Sequence, residues 1–396
     1  MKRPEIQGTC FTVIVSTIFL IVLLLLPTGF ESAVQFKDAE KCKALVMTVD
    51  NSRIIDTGLI RTGQQICSVR FLDGKFKGKI CEGWNMLGGS LAQDKLFCAG
   101  DKAQVIVHYE ESSDKEGFEI LSANLIDYYR LKGEWILAAA FAVFLVVFAG
   151  WTGIRSVLSF AITVLALWKL LIPFYLKGWN PIFCGFLITV FLTNIILALV
   201  YGFDRRLLAS VFGSLSGILV AAILSVICTA QFKIHGAVMA YSESVLYSGY
   251  EYLNLTEIFM SSILIGASGS IMDLSVDITS AVNEVVKKCP EISKIDAVKS
   301  GLAVARAAMG TMTTTLLLAY SGSCISLLMA FMAQGTPIYN ILNNNQVSAE
   351  IINTIAGSFG LASTAPLTAL MAGLILPGNT KRQKKRLELK NSESSL

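Results

Sequence analysis

Apolar residues fall in long unbroken blocks along most of this chain, interrupted by one polar interval near the start. A bilayer core about 30 Å thick needs about 20 apolar residues of helix to cross it. Eight blocks fit: roughly 10–26, 134–152, 155–176, 180–201, 207–230, 257–284, 309–332 and 352–376. Lipid offers backbone groups no hydrogen-bond partner, so each block is predicted to be helical. The first follows Met1-Lys2-Arg3 and also fits a secretory signal. With no good small-x-small site after Pro27, it reads more readily as an uncleaved anchor.

The polar interval has a different period. Apolar residues alternate over 43–49, 65–71, 76–82, 103–108 and 118–125, and Asp73-Gly74 is a hairpin signal between two of these runs. Five short strands predict a small barrel or sandwich, OB-like in the closest case. The expected fold is therefore an all-α polytopic membrane bundle of about eight transmembrane helices with a small all-β extracytoplasmic domain. The expected divisions are a signal anchor at 1–29, the β domain at 30–130, a seven-helix domain at 131–380 and a basic cytoplasmic tail at 381–396.

Composition supports that class. Of 396 residues, 54% are hydrophobic and 16% charged, against about 25% charged in ordinary soluble domains. This excludes a soluble enzyme. A net charge of +4, with no concentrated basic face, argues against nucleic acid as a partner. The lipid bilayer is the first expected partner. Lys and Arg then set orientation. With the N-terminus inside, the cytoplasmic segments hold sixteen of them, and the short outer loops hold Lys177 and Lys233. Both termini are expected in the cytoplasm and the β domain outside.

Four of the nine cysteines, Cys42, Cys67, Cys81 and Cys98, lie in the outer domain, where an oxidising compartment permits disulfides. Of three connectivities, Cys67–Cys81 with Cys42–Cys98 is favoured. A two-residue Asp-Gly loop would instead set Cys67 opposite Ile80. No cysteine pair has metal-ligand spacing, and His108 and His235 are far apart, so neither metal nor cofactor is expected.

Polar residues inside the spans carry the functional signal. At about 100° per residue, Asp273, Asp277, Ser280 and Glu284 share one face of the sixth span, extended outward by Gly266 and Ser270. A carboxylate at the bilayer centre costs about 2.5–3.5 kcal/mol and needs a partner, water, an ion or a proton. The seventh span supplies partners: Arg306, Gly310, Thr313 and Leu317 fall near one face, with Thr311, Thr314 and Thr315 on its flank. Asn194 in the fourth span lies at a similar depth and can join the network. The bland reading is a polar pair and a small-residue interface that fix helix packing. The functional reading is a proton or cation site.

Between these spans, Ile292, Ile295, Val298 and Leu302 recur at helical spacing opposite Lys294 and Lys299, which predicts a connector or an amphipathic helix on the inner surface over 290–305. Asn254-Leu-Thr256 matches a glycosylation sequon.

The stretch Gly266 to Glu284, the run Arg306-Ala-Ala-Met-Gly-Thr-Met-Thr-Thr-Thr through Gly322, and Ala356-Gly-Ser-Phe-Gly-Leu361 with Pro366-Leu-Thr368 behind it resemble the YibE/F-like family of bacterial membrane proteins. That resemblance implies a small outer domain followed by a multi-span region, over nearly the whole chain. Two positions depart from the pattern: Thr314 where Asn is expected, and the additional acid Asp277. Residues 260–325 alone are also similar to part of the resistance–nodulation–division superfamily, including the Sec accessory protein SecF, and this implies proton-driven export.

Two functions are carried forward. One is a transporter or export permease for an unknown small molecule or ion, proton-coupled through Asp273. The other is a non-transporting partner or sensor acting through the outer domain; a homo-oligomer or a membrane partner is the further expected association. An enzyme is not expected: both Asp lie on one helix, no second acidic helix faces them, and no Ser–His pairing is evident.

Overall fold

A computed structural model of the chain describes residues 3–30, 39–111 and 118–377. The expected basic tail at 381–396 therefore lies outside the described residues. The chain forms two compact units, residues 30–144 and residues 1–29 with 145–396.

The first unit is a closed barrel. Its strands are β1 (Ala39–Asp50), β2 (Ile54–Asp56), β3 (Arg61–Phe71), β4 (Ile80–Gly88), β5 (Lys102–Glu111) and β6 (Phe118–Tyr128). Hydrogen bonding runs β1-β5-β6-β4-β3 and returns to β1, with β2 hung on the outer edge of β3. Closure removes the sheet edges that would otherwise invite pairing with another chain. β4 and β6 meet in parallel at Trp84 and Asn124, while the other neighbours are antiparallel. Alternation does the sorting: along β4, Gly83, Asn85 and Leu87 point inward, and Glu82, Trp84 and Met86 outward.

Phe71, Phe76, Phe97, Val105 and Val107 fill the interior. Gln65 and Asn85 are buried there too, and their polar atoms are matched. Gln65 Nε2 donates to Asn51 Oδ1 (2.8 Å) and to the Phe97 carbonyl (2.9 Å), while Phe97 N and Asn85 Nδ2 both donate to Gln65 Oε1 (3.0 Å each).

Two sequence expectations change here. The third strand begins at Ile80 rather than 76, because residues 72–79 form a long connection instead of a two-residue turn. Asp73 accepts from Lys43 N (2.6 Å) and Glu40 accepts from Lys75 N (2.9 Å), which pins that connection to β1. It drops Phe76 into the core, against Tyr109 and Phe118. The disulfides are also absent: Cys42, Cys67, Cys81 and Cys98 are free thiols. The register sets Cys67 opposite Gly83 and Cys81 opposite Val69, so these two are diagonal rather than facing. Cys42 is buried opposite Val105, and Cys98 is exposed in a loop.

The long helices are α1 (Arg3–Leu25), α2 (Leu131–Ala149), α3 (Trp151–Leu176), α4 (Pro181–Tyr201), α5 (Arg205–Gln231), α6 (Leu255–Lys288), α7 (Lys294–Ser321) and α8 (Asn345–Ile375). The last seven are long and apolar enough to cross a membrane, whereas the apolar part of α1, Phe11–Leu25, falls short of that measure. The eight expected blocks correspond to these seven helices and the apolar stretch Phe11–Leu25 of α1. α1 packs through Leu23 against Ile162 and Leu192, and through Phe19 edge-on to Phe191.

The helix starts are written in the sequence. Asn180, Asp204, Asn254, Ser293 and Asn344 each accept a backbone N–H from the first turn that follows. The sequon residue Asn254 is one of these caps, and its Nδ2 also donates to Glu257 (3.0 Å). The Ser293 cap explains the largest error in the helical region. α7 begins at Lys294 and continues unbroken to Ser321, so 294–305 is its opening stretch rather than a separate surface helix. The stretch 325–333 is a short helix of its own.

The tightest packing is between α5 and α8. A Cβ on Gly213 or Gly217 would overlap the hydroxyl of Thr368 or Thr364. Small residues let the backbones approach to that distance. α6 joins this seam: the Ser275 hydroxyl donates to the Ser210 carbonyl (2.8 Å), and Thr368 Oγ1 donates to Ser275 Oγ (3.4 Å). Ile218, Ile271, Ile278, Leu361 and Ala369 complete the core around it.

Candidate functional site

α6 buries one flank against α5 and α8 and leaves a stripe uncovered. Gly266, Gly269, Asp273, Asp277 and Glu284 are exposed, while Ile271, Leu274, Ser275 and Ile278 between them are buried. α7 lies beside that stripe. Between the two helices is a groove of about 450 Å³, lined by Gly266, Ser270 and Asp273 from α6 and by Met312, Thr315, Leu316, Ala319 and Tyr320 from α7. Leu316 forms its buried floor, supported by Gly357 of α8, where a Cβ would stand 3.1 Å from the Leu316 side chain. At Gly266 a Cβ would stand 2.6 Å from the Tyr320 hydroxyl oxygen, so the absence of a side chain there lets the phenol reach the α6 backbone.

The groove brings together Asp273 and Thr315 of the sequence-predicted residues. The others sit elsewhere. Asp277 is exposed one turn further along α6. Glu284 forms a 2.7 Å ion pair with Lys287 of its own helix, where an interhelical partner was expected. Arg306 is exposed, and among the described residues it has no ion pair or hydrogen bond, so it does not clamp the acids within the chain. Asn194 Nδ2 donates to the Val190 carbonyl one turn back (2.8 Å) and is not part of the acidic stripe.

The threonines do not reach across either. Thr311, Thr313, Thr314 and Thr315 donate to the carbonyls of Ala308, Met309, Gly310 and Thr311 on α7 itself, at 2.8–3.2 Å. Such back-bonding satisfies a hydroxyl proton in an apolar setting. It leaves the oxygen lone pairs facing outward, so Thr315 presents an acceptor to the groove.

Tyr320 is the residue that sequence reasoning missed. Its signal was available in Gly266, a glycine in a helix that approaches α7. Tyr201 is a second omission: its hydroxyl donates to the Val276 carbonyl (2.7 Å) and sits 2.9 Å from Ser280 Oγ, which takes Ser280 out of the acidic face and ties it to α4.

Among the described residues no three His, Cys, Asp or Glu side chains gather as a metal site. Asp273 and Asp277 have no hydrogen bond or ion pair among the described residues. The groove therefore offers one carboxylate, one serine, one threonine oxygen and one phenol, which suits a proton or a small cation better than a large anion.

A closed barrel and seven helices long and apolar enough to cross a membrane, with a polar groove partway along two of them, define the class of this protein. Residues 137–378, more than half of the chain, match the YibE/F-like protein family, and the chain belongs to it. No curated protein and no solved structure matches the chain.

Proposed function

We propose that this protein spans the cytoplasmic membrane several times and moves a small solute or ion, with Asp273 as the group that takes up and releases a proton or cation. The observation that carries this reading is Asp273 itself. It is a carboxylate in the middle of a long apolar helix, open to a groove of about 450 Å³, and without a counter-ion among the described residues. Acids in that position cost about 2.5–3.5 kcal/mol in a bilayer, and uptake of a proton or cation removes that cost.

The seven helices, by length and composition, support residence in a membrane. The excess of Lys and Arg on one side supports cytoplasmic termini. Two cations also satisfy free helix carbonyls, Arg155 from that side and Lys169 from the opposite half of α3. Arg155 donates to the Leu199 and Val200 carbonyls at the C-terminal end of α4 (2.8 and 3.2 Å), and Lys169 donates to the Leu26 carbonyl just beyond α1 (3.0 Å).

Replacing Asp273→Asn is expected to abolish the function lost on deletion while the amount of protein stays level. Full activity of that variant would sink the proposal. A second reading rests on the barrel. Its ring order β1-β3-β4-β6-β5, with β4 and β6 parallel, supports an OB-like reading, and folds of that kind bind ligands on one face. Under this reading deletion of residues 39–128 removes function and Asp273→Asn does not.

A further inference from the structure

We infer that the exposed face of α6 and α7 is the surface on which a second copy of this chain docks, and that this copy closes the Asp273 groove. The inference rests on the membrane-spanning reading above. In a bilayer the least apolar helices are expected to be the most buried, because lipid cannot satisfy their polar groups. α6 and α7 are the two least apolar of the seven. α6 follows the rule, with 56% of its apolar window buried within the chain, but α7 reverses it, with 11%. α2 is a useful contrast: none of its residues is buried, yet its outer surface is Leu, Ala, Phe and Val, which suits lipid. α7 instead exposes Arg306, Thr311, Thr314 and Thr315.

Two further observations say what covers this face. Gly269 on α6 and Gly310 on α7 lie mid-helix, and a Cβ on either would meet nothing within 4 Å. Glycine weakens a helix relative to alanine, and packing among the described residues gives no reason for either. Both suit a close approach by another helix.

The charges on the face are also self-complementary. Asp277 lies 11 residues before the end of α6 and Arg306 lies 12 residues after the start of α7, about 16 and 18 Å along their helices from the short link between them. They sit at about one depth, and neither has an ion pair among the described residues. A two-fold axis along the bilayer normal preserves depth, so it sets Arg306 of one copy against Asp277 of the other in both directions.

Subunit counting by single-molecule photobleaching tests this, using the full tagged chain in vesicles of phosphatidylethanolamine and phosphatidylglycerol. The native chain is expected to form dimers. Gly310→Leu, which has open space around it and leaves the fold intact, is expected to raise the dissociation density by roughly tenfold or more. Arg306→Asp and Asp277→Arg are each expected to do the same, and the two together to restore the dimer. Monomers at all densities overturn the inference, and so do dimers that all three single changes leave untouched, since they would form through another face. Asp273→Asn separates this inference from the transport reading. A monomer that still loses function with that change discards the dimer alone. A dimer that keeps function discards transport alone.

Discussion

The α5–α8 seam and the α6–α7 face are made of the same residues, Gly, Ser and Thr, and use them in opposite ways. In the seam, Gly213 and Gly217 make room for Thr368 and Thr364, and Ser210, Ser275 and Thr368 hydrogen-bond across helices. On the face, Gly269 and Gly310 make room for nothing among the described residues, and the threonine hydroxyls turn back on their own helix. Small polar residues are therefore no sign of packing by themselves. What matters is whether the space they open is filled, and by which molecule.

The sharpest way to break this contrast is to fill both spaces. Gly217→Leu forces a side chain into the Thr364 hydroxyl and the helix backbone behind it. Overpacking costs about 1–3 kcal/mol in an ordinary core and more where two backbones must separate. We expect loss of monodisperse protein on size-exclusion chromatography in detergent. Gly269→Leu on the open face is expected to leave the elution profile and melting temperature of the detergent-solubilised monomer unchanged. If the two variants behave alike, the distinction fails.

The barrel supplies a reference outside the helices. Burial, then the carboxylates of Glu40 and Asp73, push the Cys42 thiol up to about 11, and burial alone pushes Cys67 up to about 11. Both values are raised above the unfolded value of 9.0. The folded state then holds protons that the unfolded chain releases. Stability from these thiols is complete below pH 9 and lost as pH rises toward about 11. Trp84 lies in β4, and its fluorescence during denaturant melts at stepped pH would follow the loss. A barrel as stable at pH 11 as at pH 8 would show the thiols are not held neutral.

Within the helices, Ser275→Ala removes the donor to the Ser210 carbonyl and the acceptor for Thr368. A loss of about 0.6–1.7 kcal/mol is expected from the range measured for interhelical hydrogen bonds, read as a lower melting temperature in detergent. Thr314→Ala should give the smallest effect, within about 0.5 kcal/mol, because its hydroxyl serves only Gly310 of its own helix. A larger loss from Thr314 than from Ser275 would reverse the assignment of seam and face.

The sequence showed some of this plainly and concealed the rest for physical reasons. Long apolar blocks were legible because lipid demands length as well as hydrophobicity. Boundaries were legible where a cap residue stood, as at Asn254. They were missed where polarity disguised a helix: Lys294, Asp296 and Lys299 make the first turns of α7 look like a surface segment. Phe76 reads as a strand residue because it is apolar, yet it reaches the core from a loop. Helical spacing put Asp273 on one face with Thr-rich α7 nearby, and the groove brings it beside Thr315. The same spacing could not show that Arg306 forms no ion pair with the α6 acids among the described residues, since that depends on the roll of each helix about its axis.

The length of α6 has a mechanical side. At 34 residues it is a rod about 51 Å long, well beyond the thickness of a hydrocarbon core. Its far end carries Glu284 and Lys287, paired to one another rather than to a neighbour. That end is nonetheless seated, with Val282 and Val286 buried in the core that also holds Ala297 and Leu376. A tilt of about 5° carries it about 4 Å relative to the other. Because the helix runs unbroken from Leu255 to Lys288, any tilt at the groove beside Asp273 is shared by the whole rod rather than absorbed locally.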